Sequence, residues 1–219
     1  MKIPLKIKSL FLYATLLTLA LPLATQAAIT TFSDKVSFLT TTGATDETGP
    51  LPALGSVGLG PVTVGAVTFS ALASPQSLVF TEYSARLPGN ELGLSGIESI
   101  NVSLATPVLA FGFDFVEPQF DPNVNATFID STFTVTLFNG ASSVGVFTFN
   151  APNDTAAFVG VSSDAQFTRA EIRETIGGIE NEFYGHFYAT VVPVPEPAAA
   201  SLLLVGSVGF GSRWLRKRK

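Results

Sequence analysis

Cysteine is absent from this 219-residue chain, methionine occurs once and histidine once. Without cysteine there is no disulfide, no thiolate metal site and no thiol nucleophile. A single histidine, His186, excludes two-histidine zinc sites and the HExxH pattern. Charge is scarce as well, at 13% of residues. Basic residues are scarcest where they would matter most. Between Ala28 and Pro195 only Lys35, Arg86, Arg169 and Arg173 occur, against 16 of the 17 acidic residues. A segment that acidic repels phosphate backbones and anionic lipid, so nucleic acid is excluded as a partner, whereas divalent cations and neutral ligands such as glycans remain.

Hydrophobic residues, by contrast, make up 47% of the chain, and 17 of its 19 phenylalanines fall in the same acidic body. The remaining basic residues cluster at the two ends. Lys2, Lys6 and Lys8 precede the apolar run from Leu10 to Leu23, and Ala24-Thr25-Gln26-Ala27-Ala28 follows. This is the pattern of a secretory signal peptide over residues 1–27, and it predicts cleavage between Ala27 and Ala28. The run is short for a spanning helix, which needs about 20 apolar residues. Sec translocon and signal peptidase are the partners expected of such a leader.

At the other end, Val192-Pro193-Val194-Pro195-Glu196-Pro197 cannot be helical, because proline lacks an N–H and holds its predecessor extended. Ala198 to Ser212 then runs without a charge, and Arg213, Arg216, Lys217, Arg218 and Lys219 close the chain. An apolar helix of that length covers roughly 22 Å, extended by Trp214 at the interface and by snorkelling arginines. The basic cluster predicts a membrane stop signal with its end on the cytoplasmic side.

Val194-Pro195-Glu196-Pro197, the apolar helix and the basic cluster in that order resemble the PEP-CTERM sorting signal of bacterial surface proteins; the same segment is also known as the C-terminal domain of some ice-binding proteins. The resemblance covers residues 193–219. It implies that Pro195, Glu196 and Pro197 are the recognition element of an exosortase, an integral-membrane transpeptidase. It also implies export, transient anchoring in the inner membrane and sorting to the cell surface or the extracellular matrix. The family's association with extracellular polysaccharide makes a structural or glycan-binding role the first expectation. A carboxylate-based carbohydrate hydrolase and an ice-binding protein are the alternatives.

Residues 28–192 read as one all-β domain. Short alternating runs separated by turn residues, with no βαβ rhythm, predict an antiparallel β-sandwich, jelly-roll-like, with one short N-terminal helix over 34–41 capped by Ser33. Predicted strands cover 62–71 with a bulge at Gly65, then 77–84, 97–105, 108–116, 131–138, 144–149, 156–161, 167–173 and 184–192. In the cleanest run Leu109, Phe111, Phe113 and Phe115 share one face, and Ala110, Gly112 and Asp114 the other. Asn139-Gly140 predicts a type I′ hairpin turn, with a longer loop over Asn139 to Ser143 as the alternative.

No catalytic signature emerges, and no enzyme is expected: G-x-S-x-G is missing, and nothing singles out a carboxylate pair. Tyr184, His186 and Tyr188 at strand spacing form a candidate stacking strip for sugar rings, set against the plainer reading of an ordinary half-exposed strand face. Asp114, Glu117 and Asp121 flank a loop whose oxygens suit Ca²⁺, although the EF-hand spacing is absent and acidic loops are commonly just solvated. A second acidic cluster, Glu171, Glu174, Glu180 and Glu182, surrounds Gly177-Gly178. Thr132, Thr134 and Thr136 give one short threonine ladder, less than the flat array that ice binding calls for. No other cofactor is expected.

Overall fold

The computed structural model describes residues 27–72, 76–118, 130–177 and 182–191. The sorting motif, the C-terminal apolar segment and its basic cluster, most of the leader, and Asp121 lie outside them. Among the described residues no helix is long and apolar enough to cross a membrane.

The elements, in chain order, are β1 (Ile29–Phe32), α1 (Lys35–Thr42), β2 (Thr45–Asp46), β3 (Gly55–Ser56), β4 (Val62–Val64), β5 (Val67–Ala71), β6 (Leu78–Thr81), β7 (Glu91–Leu94), β8 (Ile100–Val116), β9 (Thr132–Asn139), β10 (Ser142–Phe149), β11 (Ala157–Ile176) and β12 (Phe183–Val191). Every strand pair is antiparallel. Two long strands organise the whole. The first half of β8 pairs with β5 and with the second half of β11, which continues to β9 and β10. The second half of β8 pairs with the first half of β11 and with β12, which continues to β7, β6 and β3. Thus β8 and β11 pass from one sheet into the other. They bulge on opposite sides of the Val108–Phe167 pair, and bulges are what let a strand turn such a corner.

Phenylalanines fill the space between the layers. Phe69 of one sheet meets Phe187 of the other at 4.8 Å between ring centroids, and Phe133 meets Phe115 at 5.3 Å. Phe113 touches Phe111, Phe115, Phe149, Tyr184 and Phe187, mostly tilted or edge-on, the arrangement favoured by ring quadrupoles. The core thus combines a cluster of rings with valine, leucine and isoleucine side chains, and together they supply the buried area that a domain without disulfides needs.

Several expectations shift by small amounts, each for a local reason. Helix α1 is capped by Asp34, not Ser33: its Oδ1 accepts the Ser37 N–H at 2.8 Å. Gly65 marks a turn rather than a bulge, since Val64 pairs with Val67 and Gly65 takes a positive φ of 58°. At the later hairpin Asn139 still pairs with Ser142, so Gly140 and Ala141 make the turn, one residue past the expected dipeptide. Segments 97–105 and 108–116 are one bent strand, as are 156–161 and 167–173. The bend places Val108 beside Phe111, Phe113 and Phe115 in the core, while Leu109 is only half-buried.

Ala110, Gly112 and Gly160 leave the outer face of the second sheet low. Helix α1 seats Phe38 there, against Ala110, Phe158 and Tyr188. A Cβ on Gly160 would meet the rings of Phe158 and Phe38 at 2.7 and 2.9 Å.

Candidate ligand groove and neighbouring polar sites

Strand β1 is the last strand of one sheet and β10 the last of the other, and the two approach at the open side of the sandwich. They touch at one end, where the Ala27 N–H donates to the Val144 carbonyl at 3.1 Å and the Ile29 side chain lies over Gly145. Beyond this contact they enclose a groove of about 470 Å³, within the range of small-molecule sites. Half-buried Phe32, Phe147 and Phe149 and buried Phe158 contribute its apolar surface; exposed Thr31, Ser33, Thr148 and Asn150 contribute its polar one. No charged side chain lines it. Its rings are held from behind: Phe149 stacks on Phe133 at 5.0 Å, and Phe32 and Phe158 pack on Phe38 at 5.5 and 5.1 Å. The Asn150 amide donates to Asp130 Oδ1 at 3.0 Å, which orients its carbonyl. The groove offers apolar ring surface beside hydroxyl and amide groups without charge.

The Tyr184, His186 and Tyr188 strip does not survive intact. The β12–β8 register shifts between Tyr184 and Phe187, and this irregularity sends Tyr184 into the core while His186 and Tyr188 stay on the outer face. These two rings stack at 6.4 Å. His186 Nδ1 lies 2.6 Å from Asp46 Oδ2 on the facing β2. Tyr188 is covered: Phe158 packs edge-on at 5.9 Å, and the Lys35 ammonium sits 4.9 Å from its ring centroid. Tyr188 therefore has little free face for a sugar.

Asp114 and Glu117, expected together, diverge. Asp114 is buried beneath α1, bonded to Lys35 Nζ (2.7 Å to Oδ1, 2.9 Å to Oδ2) and to the Tyr188 hydroxyl at 3.0 Å. It is a structural anchor. Glu117, just past the end of β8, turns to a different place and accepts the Ser131 N–H at 2.6 Å. There it joins Glu98, Glu174 and Glu182. Burial pushes Glu98 up to about 12, helped by the neighbouring charges of Glu182 and Glu174. Burial likewise pushes Glu182 up to about 7. Glu98 carried no motif in the sequence; only its pairing across the fold reveals it. Among the described residues, no group of three or more carboxylate or imidazole side chains is set as a ready-made metal cage.

A smaller hollow of about 170 Å³ lies on the outer face over β6 and β7. Half-exposed Tyr83 stacks on Phe183 at its edge, with ring centroids 5.0 Å apart. Glu91 fixes the loop carrying Tyr83 by accepting the N–H groups of Tyr83, Ser84 and Leu87 and the Ser84 hydroxyl. At the predicted leader junction, the Ala28 N–H donates to Asp164 Oδ1 at 2.9 Å. Of the threonine ladder, Thr132, Thr134 and Thr136 are half-buried, with Thr134 bonded to Thr175 at 3.3 Å.

No protein-family model matches the chain, and no curated protein does. Among solved structures it is similar to a mutant of the family 29 carbohydrate-binding module CBM29-2, at 10% identity and a TM-score of 0.35, covering 71% of this chain and 99% of that one. It is also similar to the catalytic domain of a GH87 alpha-1,3-glucanase in complex with tetrasaccharides, at 15% identity and a TM-score of 0.34, covering 61% of this chain but 29% of that one. A third likeness is to the enzymatically active domain of tailspike protein 4 of bacteriophage CBA120, at 15% identity and a TM-score of 0.33, with 62% of this chain and 19% of that one covered. At such scores the likeness fixes no residue correspondence.

Proposed function

We propose that this protein is an exported bacterial surface or matrix component whose jelly-roll-like sandwich binds neutral glycan chains, without turning them over, in the groove between β1 and β10. The observation that carries the reading is the groove's lining: phenyl rings anchored from behind, hydroxyl and amide groups beside them, and no charge. Sugars present apolar C–H faces and hydroxyl edges, so that combination suits them, and aromatic contacts of this kind add roughly 0.5–1.5 kcal/mol beyond area burial. No carboxylate or imidazole lines the groove, which supports binding rather than hydrolysis. The body's net charge of -12, from 4 basic and 16 acidic residues, favours a neutral glycan over an anionic one.

Delivery rests on the sequence of the two ends. In this reading the leader directs the chain to the Sec translocon, signal peptidase cuts between Ala27 and Ala28, and the C-terminal segment holds the protein in the inner membrane until exosortase acts at Pro195, Glu196 and Pro197. Cleavage at Ala28 would place a new ammonium group beside Asp164, a stronger pairing than the amide now makes there. A glycan microarray tests the binding reading. Retention on neutral polysaccharides without release of reducing ends, weakened by Phe147→Ala, supports it. Retention on anionic glycans alone, or release of sugar, contradicts it.

A further inference from the structure

At one pole of the sandwich the two ends of β8, the end of β11 and the starts of β9 and β12 come together. Glu98 and Glu182 are buried there, each at 0% exposure. The carboxyls of Glu182 and Glu174 both lie close to that of Glu98, so three acidic side chains converge here. Among the described residues no N–H or O–H group donates to any of the four carboxyl oxygens of Glu98 and Glu182. Ser131 Oγ lies near enough to favour ionised Glu182, without reaching bonding geometry. The Tyr184 hydroxyl donates instead to the Glu98 main-chain carbonyl at 3.2 Å. Glu174 accepts the Glu98 N–H at 3.0 Å and adds negative charge to both carboxyls.

The body has no side-chain cation left to offset this. Its four lysines and arginines pair elsewhere: Lys35 with Asp114, Arg86 with Asp154, and Arg169 and Arg173 with Glu171. His186 pairs with Asp46. Buried carboxylates without donors or counter-charge are not tolerated in a stable interior; they must take up protons or a hard cation.

We propose that this pole is a calcium site, with the ion held between the carboxylates of Glu98 and Glu182 and with Ser131 Oγ in reach. The donor set is all oxygen, as a hard cation requires. Two carboxylates binding in bidentate fashion supply about four of the six to eight oxygens that Ca²⁺ takes, leaving the rest to carbonyls and water. Mg²⁺ fits less well, because it demands near-octahedral geometry and gives up water reluctantly. The site shares no lining residue with the glycan groove between β1 and β10, although Asp130, which holds Asn150 of the groove, directly precedes Ser131.

The test uses the full-length chain stripped with chelator, with thermal unfolding followed before and after addition of about 1 mM CaCl₂, a level suited to extracellular calcium modules. Wild-type protein is expected to melt several degrees higher with calcium and to bind it in calorimetry at one ion per chain. Glu98→Gln and Glu182→Gln keep the shape and the neutral hydrogen-bonding character of a protonated carboxyl, so both should fold without metal. Each should lose the thermal shift and weaken calcium binding at least about tenfold. Glu82→Gln, at an exposed loop position, should change neither. No calcium-dependent shift in the wild type overturns the proposal, as does a shift that persists in both glutamine variants.

Discussion

Replacing Lys35 by methionine removes a cation from the outer face of the second sheet while keeping most of the side chain's apolar length. Lys35 is the first residue of α1, and its ammonium contacts both oxygens of Asp114 and the Tyr188 hydroxyl, 3.0 Å away. Asp114 is 5% exposed and Tyr188 8%. The variant thus strands a nearly buried carboxylate whose remaining partner is the Tyr188 hydroxyl. Breaking a fully buried pair costs about 3–5 kcal/mol. The Lys35 side chain is 37% exposed, so water screens part of the interaction and about 1.5–3 kcal/mol is the fitting range. Urea unfolding of the variants measures it. Asp114→Asn added to Lys35→Met should recover about 1 kcal/mol or more, because the stranded charge is gone. The reasoning fails if Lys35→Met costs under about 0.5 kcal/mol, the ordinary surface value, or if the two changes simply add.

The same contacts fix a pH dependence. Burial alone would lower the Lys35 pKa, but the bonds and charge from Asp114 and Tyr188 outweigh it and hold the group above 10.5. A raised amine pKa means the stabilisation is complete below 10.5 and is lost as pH rises through the folded-state value. Burial also raises the Tyr188 phenol above 10.0, so its ionisation in alkali opposes folding in the same direction. Wild-type stability should fall as pH rises above about 10, because the buried phenols of Tyr188 and Tyr184 must ionise and Lys35 must lose its proton; Lys35→Met removes the lysine part of that decline and keeps the tyrosine part.

Other perturbations separate the remaining parts of the account. Phe147→Ala should weaken neutral-glycan binding by about 3–10-fold with a modest fall in melting temperature, because Phe147 is half-buried against the core; calorimetry and thermal scanning on one sample read both. Gly160→Ala should cost about 1–3 kcal/mol, because the added methyl meets the Phe158 and Phe38 rings under α1; urea unfolding and protease cleavage at Lys35 both report it. Intact mass and terminal peptides of the native protein should show a chain beginning at Ala28 and ending near Pro195 to Pro197 in the surface or medium fraction. A membrane-bound form retaining Lys219 would make the tail a permanent anchor.

What could be read from sequence depended on how local the cause was. Alternation in Phe111, Phe113 and Phe115 follows from the period of a strand, and those rings do face the core. The helix after β1 follows from its cap, misplaced by one residue because Ser33 and Asp34 are both competent N-caps. The bend in β8 and β11 is a property of pairing between distant segments, so each strand read as two. The same limit broke the Tyr184–His186–Tyr188 strip: strand spacing assigns all three to one face, and an irregularity set by β8 moves Tyr184 to the other. Charge counting showed that the body was short of cations, but not which acids would go without. Asp114 takes Lys35, while Glu98, isolated in sequence, meets Glu182 only because the bend in β8 returns its start to the pole where its end pairs with β12. The groove was invisible for a related reason, since its two walls, β1 and β10, lie more than a hundred residues apart.

Backbone amide chemical-shift mapping, with a neutral oligosaccharide titrated into the protein, tests the central claim most directly. The account predicts saturable shifts concentrated at Thr31, Ser33, Thr148 and Asn150 and at the neighbouring phenylalanines of the groove. Shifts centred instead on Tyr83 over β6 and β7, or none with any neutral glycan, would contradict it.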